Sequence, residues 1–221
     1  MFCQRFPSLQ GGEVTRDAQE LLQISANACR RYIMRDADVR NAVHGNLLRP
    51  FYEDGESRIL DEVVLGLDEA RIDVAVINGS LHGYELKSAQ DTLGRLPRQI
   101  EVYGKALDFV TLVVADNHLD QALDIIPNWW GVVRAKKTRG RLYLKKIRQP
   151  WWNPSPDPLT IARFLWKEEA LSFLVRHGVK GIARKPKYIL WQMIAESYPL
   201  AQISAYVRQT LKARQGWRVD P

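Results

Sequence analysis

The stretch RIDVAVINGSLHGYELKSAQDTL, residues 71–93, decides how the chain is read. Two runs rich in β-branched and aromatic residues flank Asn78-Gly79-Ser80, the pattern of a β-hairpin. Three charges, Asp73, Glu85 and Lys87, stand inside those runs, where a buried strand ordinarily carries valine or isoleucine. Glu85 and Lys87 are two apart and so share one face of their strand. The position of Asp73 depends on the turn. A three-residue loop pairs Ile77 with Leu81 and sets Asp73 opposite Glu85 on one face. A two-residue Asn-Gly loop pairs Ile77 with Ser80 and sends the two carboxylates to opposite faces. Two carboxylates a strand apart on one face repel each other unless a proton or a cation lies between them, and oxygen-only ligation suits Mg²⁺ or Mn²⁺. A lysine beside them can orient a water or stabilise charge on a phosphoryl group. The competing reading is a solvated hairpin face on which the acids pair with Lys87 and Arg71.

Outward from the hairpin, RILDEVVLGL (58–67) supplies a third short strand before it, so residues 58–87 read as a meander. Asp91-Thr92 is expected to open a helix, with Leu93, Leu96, Ile100, Tyr103 and Leu107 on its apolar side, and FVTLVVA (109–115) follows as a continuous apolar strand. Upstream, TRDAQELLQISANACRRYIMRD (15–36) has helical spacing, and a second helix is expected over 38–48, ended by Pro50. Residues 129–148 predict a further hairpin around Thr138-Arg139-Gly140. The proline-rich QPWWNPSPDP (149–158) is a boundary, and 159–216 is helical, with Gly178 as a C-cap and a break at Tyr198-Pro199.

Composition narrows the function classes. Cys3 and Cys29 form no C-x-x-C pair, so zinc or iron–sulfur ligation lacks thiolates, and two cysteines suit a reducing compartment. Neither a signal-peptide run nor 18 consecutive apolar residues occurs, so a cytoplasmic protein without a membrane span is expected. The net charge is +7, but residues 134–148 hold eight basic residues and no acidic one, leaving about −1 for the rest of the chain. Lys136, Lys137, Arg139, Arg141, Lys145 and Lys146 of that segment are candidates for phosphate contacts, against the alternative of a solvated basic face. Trp129-Trp130 and Trp151-Trp152 read first as packing and second as base-stacking platforms. His82 and His118 are left outside the candidate site, and His44 reads as structural.

These residues carry a resemblance. Asp73 in "ID", followed twelve residues later by Glu85 and Lys87 in "ELK", resembles the signature of the PD-(D/E)XK nuclease superfamily. Gln99 and Tyr103 in RQIEVY resemble the Q-x-x-x-Y pair of its RecB-like branch, with Arg95 one turn earlier. The run 83–114, with PNWWG downstream, also resembles a bacterial and phage family of about this length.

The resemblance implies an α/β, restriction-endonuclease-like (αβββαβ) core over 35–150, preceded by a lead-in and helix (1–34). A helical C-terminal region (151–221) follows, as a cap or a winged-helix-like unit. It implies a metal-dependent nuclease acting on DNA, with Mg²⁺ (or Mn²⁺) held by Asp73, Glu85 and the Leu86 carbonyl. An upstream acid, Glu62 with Asp61 and Glu56 as rivals, assists, and Lys87 positions the attacking water. Gln99, Tyr103 and Arg95 would hold the substrate backbone or the metal-bound waters. The alternative is a nucleic-acid-binding protein in which the acidic site is vestigial.

Overall fold

The computed structural model describes residues 34–65 and 70–214, so the helix expected over 15–36 lies almost wholly outside the described residues. Six strands form one sheet in sequence order: β1 (Arg58–Leu65), β2 (Ala70–Ile77), β3 (Leu81–Lys87), β4 (Phe109–Ala115), β5 (Gly131–Thr138) and β6 (Arg141–Arg148). β1, β2 and β3 form the antiparallel meander expected from sequence, β4 and β5 add in parallel, and β6 closes the far edge antiparallel to β5. The parallel β3–β4 step needs a crossover. Helix α3 (Leu96–Ala106) supplies it. The molecule is therefore a mixed α/β protein.

The order of elements is helix, three strands, helix, strand, but three boundaries differ from the sequence reading. The helix expected over 38–48 is divided into α1 (Asp36–Ala42), a π-helical turn (Val43–Leu47) and α2 (Arg49–Glu53). Pro50 sits in the first turn of α2, where its missing N–H costs nothing, and so begins a helix instead of ending one. For the same reason α3 starts at Leu96, with Pro97 in its first turn. Asp91 instead closes the turn after β3, its Oδ2 accepting from the Ser88 N–H at 2.7 Å.

Both faces of the sheet are covered. On one, Met34, Val39, Val43 and Leu48 pack on Val74, Val76, Tyr84, Leu86, Val113 and Ala135. On the other, α3, α4 (Leu119–Ile125) and the C-terminal helices α5 (Pro158–Ala162), α6 (Lys167–Arg176), α7 (Lys187–Ser197) and α8 (Leu200–Ala213) share one core with the sheet, from Leu65 and Leu112 to Phe173, Leu190 and Val207. No strand occurs in 158–213, so this region lacks the hairpin that a winged helix requires. Gly178 has φ +81° and ends α6 with the two bonds of a Schellman motif, Val179 N–H to the Leu174 carbonyl and Gly178 N–H to the Val175 carbonyl. Among the described residues no helix is long and apolar enough to cross a membrane.

Of the tryptophans, Trp130 is fully buried against Tyr103, as the packing reading expects, but Trp151 is 70% exposed. Trp152 is 57% exposed and lies against Phe109.

The tie between the C-terminal helices and the sheet is Asp108. Its buried carboxylate accepts from the Leu81 N–H at 2.6 Å and takes both arms of Arg208 from α8, at 2.8 and 2.9 Å. Removing one partner of a buried pair strands the other charge at a cost of about 3–5 kcal/mol, and somewhat less where the partner is, like Arg208, 21% exposed. Asp108→Ala is therefore expected to lower unfolding stability on that scale, and a urea midpoint within error of the parent would show that the pair holds nothing together.

Candidate functional site

Ile77 pairs with Leu81, Val76 with His82, Ala75 with Gly83 and Val74 with Tyr84. The loop is thus Asn78-Gly79-Ser80, with Gly79 at φ +98°, and of the two registers the structure has the one that sets Asp73 against Glu85. On β3 the alternation is regular. Leu81, Gly83, Glu85 and Lys87 face α3, and Tyr84 and Leu86 face α1. Gly83 permits this packing, since a Cβ there would come within 2.5 Å of Leu107 Cδ1.

On β1 and β2 the alternation breaks, at Glu62 and Asp73. Ala75 and Ile77 face the α3 side and Val74 and Val76 the α1 side, yet Ile72 again faces the α3 side. β1 shows the same inversion between Leu60 and Val63. Glu62, between them, has φ +58°, a left-handed conformation that is uncommon for a residue with a side chain. The pairing of Asp61 with Val74 and of Val63 with Ile72 leaves Glu62 and Asp73 opposite each other, with no ladder pair between them. Freed from the alternation, the Asp73 side chain reaches toward β3, where its Oδ2 accepts from the Leu86 N–H at 2.7 Å. Local breaks of this kind re-aim side chains next to functional sites.

Glu85 is 2% exposed and fully partnered: Lys87 Nζ and Gln99 Nε2 each lie 2.6 Å from Oε1, and the Tyr103 hydroxyl lies 2.7 Å from Oε2. Gln99 and Tyr103 are one helical turn apart on α3 and present these groups side by side. Burial, then the charge of Glu85, pushes the Tyr103 hydroxyl well above its usual range, so it stays a donor. Gln99 Oε1 is buried and has no partner among the described residues. Asp73 is pushed up to about 7, first by burial and then by the charge of Glu85, against the Leu86 N–H and the Arg40 and Lys87 charges. A cleft of about 430 Å³ opens here, lined by Asp36, Arg71, Asp73, Glu85, Leu86 and Gln99, with Asp91, Arg95 and Arg98 also on its wall.

The structure thus brings Asp73, Glu85, Lys87, Leu86, Gln99 and Tyr103 together and puts Arg95 at the cleft. Glu62 is not on the cleft wall. Both its oxygens are taken by arginines, Oε1 by Arg40 Nη2 at 2.7 Å and Oε2 by Arg71 Nε at 2.6 Å. Of its rivals, Asp61 binds His44 Nε2 at 3.0 Å and Glu56 pairs with Lys212 at 2.8 Å. The acid that the upstream helix does bring to the cleft is Asp36. Nothing in the local sequence marks Arg40 and Asp36 as site residues: four apart on α1, they read as an i,i+4 surface salt bridge.

The basic hairpin divides between the two sides of the sheet. Leu142 and Leu144 turn toward the α1 side, along with Lys137, which bonds Asp38 at 3.0 Å, and Lys146, which lines a separate cavity with Phe51, His82 and Tyr84. Arg134, Lys136, Arg141 and Lys145 project from the opposite side, where Asp116 meets Lys136 at 3.1 Å. Arg139 and Gly140 form the left-handed pair of a two-residue turn at the tip.

The fold and cleft define a mixed α/β protein with a buried carboxylate–lysine–glutamine cluster at the end of its central strands. The profile of the bacteriophage P4 protein cII family matches residues 31–218, and the chain belongs to that family. It is 25% identical over 185 residues to protein cII of Enterobacteria phage P4, covering 82% of this chain and 68% of that protein. A solved structure of a protein of unknown function from Silicibacter pomeroyi aligns with 61% of this chain and 84% of its own at 15% identity, with a TM-score of 0.34.

The raised Asp73 has a measurable consequence. In an unfolded chain the group titrates near ~3.9. Between there and about 7 the folded chain holds a proton that the unfolded chain has lost. Its stabilising contribution is present below that window and is lost as pH rises through it, on the order of a few kcal/mol. Asp73→Asn should therefore be more stable relative to the parent at pH 8 than at pH 5. Parallel stability–pH curves for the two proteins would refute the assignment.

Proposed function

We propose that the protein is a metal-dependent nuclease of the PD-(D/E)XK type, RecB-like with its Q-x-x-x-Y pair, hydrolysing phosphodiester bonds of DNA. The single observation that carries the reading is that Asp73, Glu85 and Gln99, from two strands and one helix, line one cleft, with Lys87 and Tyr103 bonded to Glu85 behind it. The helix–three strands–helix–strand order of the sheet supports a restriction-endonuclease-like (αβββαβ) core.

The donor set suits a hard divalent ion. It comprises two carboxylates and the Leu86 main chain, all oxygen donors, and Mg²⁺ is commonly held by one or two carboxylates with water completing its shell. The high Asp73 pKa and the unpartnered Gln99 Oε1 are what a site built for a cation, or for the water around one, would leave in its absence. Asp73, Glu85 and the Leu86 carbonyl would hold Mg²⁺ (or Mn²⁺), and Asp36 lines the same cleft. When bound, the ion supplies Lewis-acid polarisation of the phosphate and a more acidic water. Lys87, buried and bonded to Glu85, would supply a positive charge to orient the attacking water. Gln99 and Tyr103 fix the Glu85 carboxylate so that it does not rotate away, and Arg95 and Arg98 at the cleft are suited to the substrate's phosphates.

The second reading is a non-catalytic nucleic-acid-binding protein with a vestigial nuclease site. Two observations favour it. Among the described residues no group of three or more His, Cys, Asp or Glu side chains is placed to hold a metal, and Arg40 already lies against Asp73.

The two readings separate on site variants. Asp73→Ala is expected to lose Mn²⁺ uptake in calorimetry and cleavage of plasmid and oligonucleotide DNA together. Lys87→Met keeps the carboxylates, so it should bind Mn²⁺ while turnover drops by roughly a hundredfold or more. A parent protein that neither takes up Mn²⁺ nor cleaves leaves the binding-protein reading.

The hairpin gives an independent test. Lys136, Arg141 and Lys145 lie on its side away from α1. Reversing Arg141 and Lys145 to glutamate should weaken DNA binding and flatten its salt dependence with little effect on folding. Unchanged affinity and slope would make this a solvated face.

A further inference from the structure

Arg40 is the cation most heavily engaged around Asp73. Its side chain is 22% exposed. Nη2 donates to Glu62 Oε1 at 2.7 Å and to Asp73 Oδ1 at 3.2 Å, and Nη1 donates to the Asp73 main-chain carbonyl at 3.1 Å. Asp61 and Asp36 stand 3.6 Å away on either side. One guanidinium is thus surrounded by four carboxylates. Asp73 Oδ2 accepts from the Leu86 N–H, and Arg40 lies on Oδ1.

The position of Arg40 is built in. It extends from α1, whose Val39 is completely buried under the sheet. Its partners Glu62 and Asp73 are the two residues at which the strands invert, and its bonds to the Asp73 carbonyl and carboxylate hold that inversion from the α1 side.

We propose that Arg40 is an internal counter-ion of the cleft: it holds the Asp73 carboxylate at the cleft and competes with a divalent cation for Oδ1, so that it sets the affinity of the site for Mg²⁺ or Mn²⁺. This rests on the reading of the cleft as a cation site. Two cations sharing one carboxylate oxygen in a partly buried site repel strongly. The ion gains Oδ1 only when the guanidinium withdraws, and Glu62, Asp61 and Asp36 give it somewhere to withdraw to. The cleft is thereby tuned for moderate cation affinity. Arg40 is a positioning residue in this scheme.

The test is calorimetric titration of the full chain with MnCl₂ at pH 8.5, with folding checked by circular dichroism. Arg40→Gln is expected to bind Mn²⁺ roughly tenfold or more tightly than the parent, the scale of relieving one close like-charge contact. Arg40→Lys, which restores the charge, should return affinity to within about threefold of the parent. Adding Asp73→Ala to Arg40→Gln should abolish the gain. If Arg40→Gln does not fold, Arg40→Met keeps the packing of the aliphatic stem and carries the same expectation. A parent that binds Mn²⁺ while the folded neutral variant binds no better overturns the counter-ion role and leaves the nuclease reading intact. Absence of Mn²⁺ uptake by the parent and every variant overturns both.

Discussion

A carboxylate buried as deeply as Glu85 is tolerable only if donors meet both of its oxygens, and most of the local architecture answers that demand. Lys87 supplies one donor from the same strand, and Gln99 and Tyr103 supply the others from α3. Those donors reach Glu85 only if α3 packs across the sheet close to β3. Gly83 permits that contact, since a side chain there would displace the Leu107 and Ile72 side chains. The crossover that makes β4 parallel to β3 is the same helix, so topology and polar cluster are two consequences of one packing arrangement.

The second constraint is the simultaneous inversion of β1 and β2 at Glu62 and Asp73. A regular strand would point Asp73 squarely to one face of the sheet. The inversion instead lets it span the gap to the Leu86 N–H while its carbonyl and second oxygen meet Arg40. A left-handed glutamate costs on the order of 1 kcal/mol or more, and the two arginines that grip Glu62 offset it. α1 contributes through charge as much as through packing: Arg40 and Asp36 reach the site while Asp38 holds Lys137 of the basic hairpin. The carboxylate cluster and the basic hairpin are thus joined through one seven-residue helix.

That hairpin is basic in sequence but not uniform in space. Alternation along β5 and β6 sends Lys137 and Lys146 to the α1 side, where the first is neutralised by Asp38, and leaves Arg141 and Lys145 projecting on the other. A charge run of eight in sequence becomes, once folded, two smaller groups with different partners.

The sequence by itself determined the elements whose signals are local. These are the three-strand meander, the helix carrying Gln99 and Tyr103, the apolar β4, the hairpin around Thr138-Arg139-Gly140, the Gly178 cap and the break at Tyr198-Pro199. It also marked Asp73, Glu85 and Lys87, because charges inside strand patterns conflict with burial and need a reason. The helix starts at Arg49 and Leu96 differ from the sequence reading because Pro50 reads as a stop as readily as a first-turn residue, and Asp91 reads as an N-cap as readily as a turn residue. The choice of hairpin register, the inversion that frees Asp73, the diversion of Glu62 to two arginines and the arrival of Arg40 and Asp36 were decided only by the tertiary structure. Each depends on residues distant in sequence meeting across the sheet. An arginine four residues from an aspartate on a short helix carries no local mark of the carboxylate 33 positions away that it will hold.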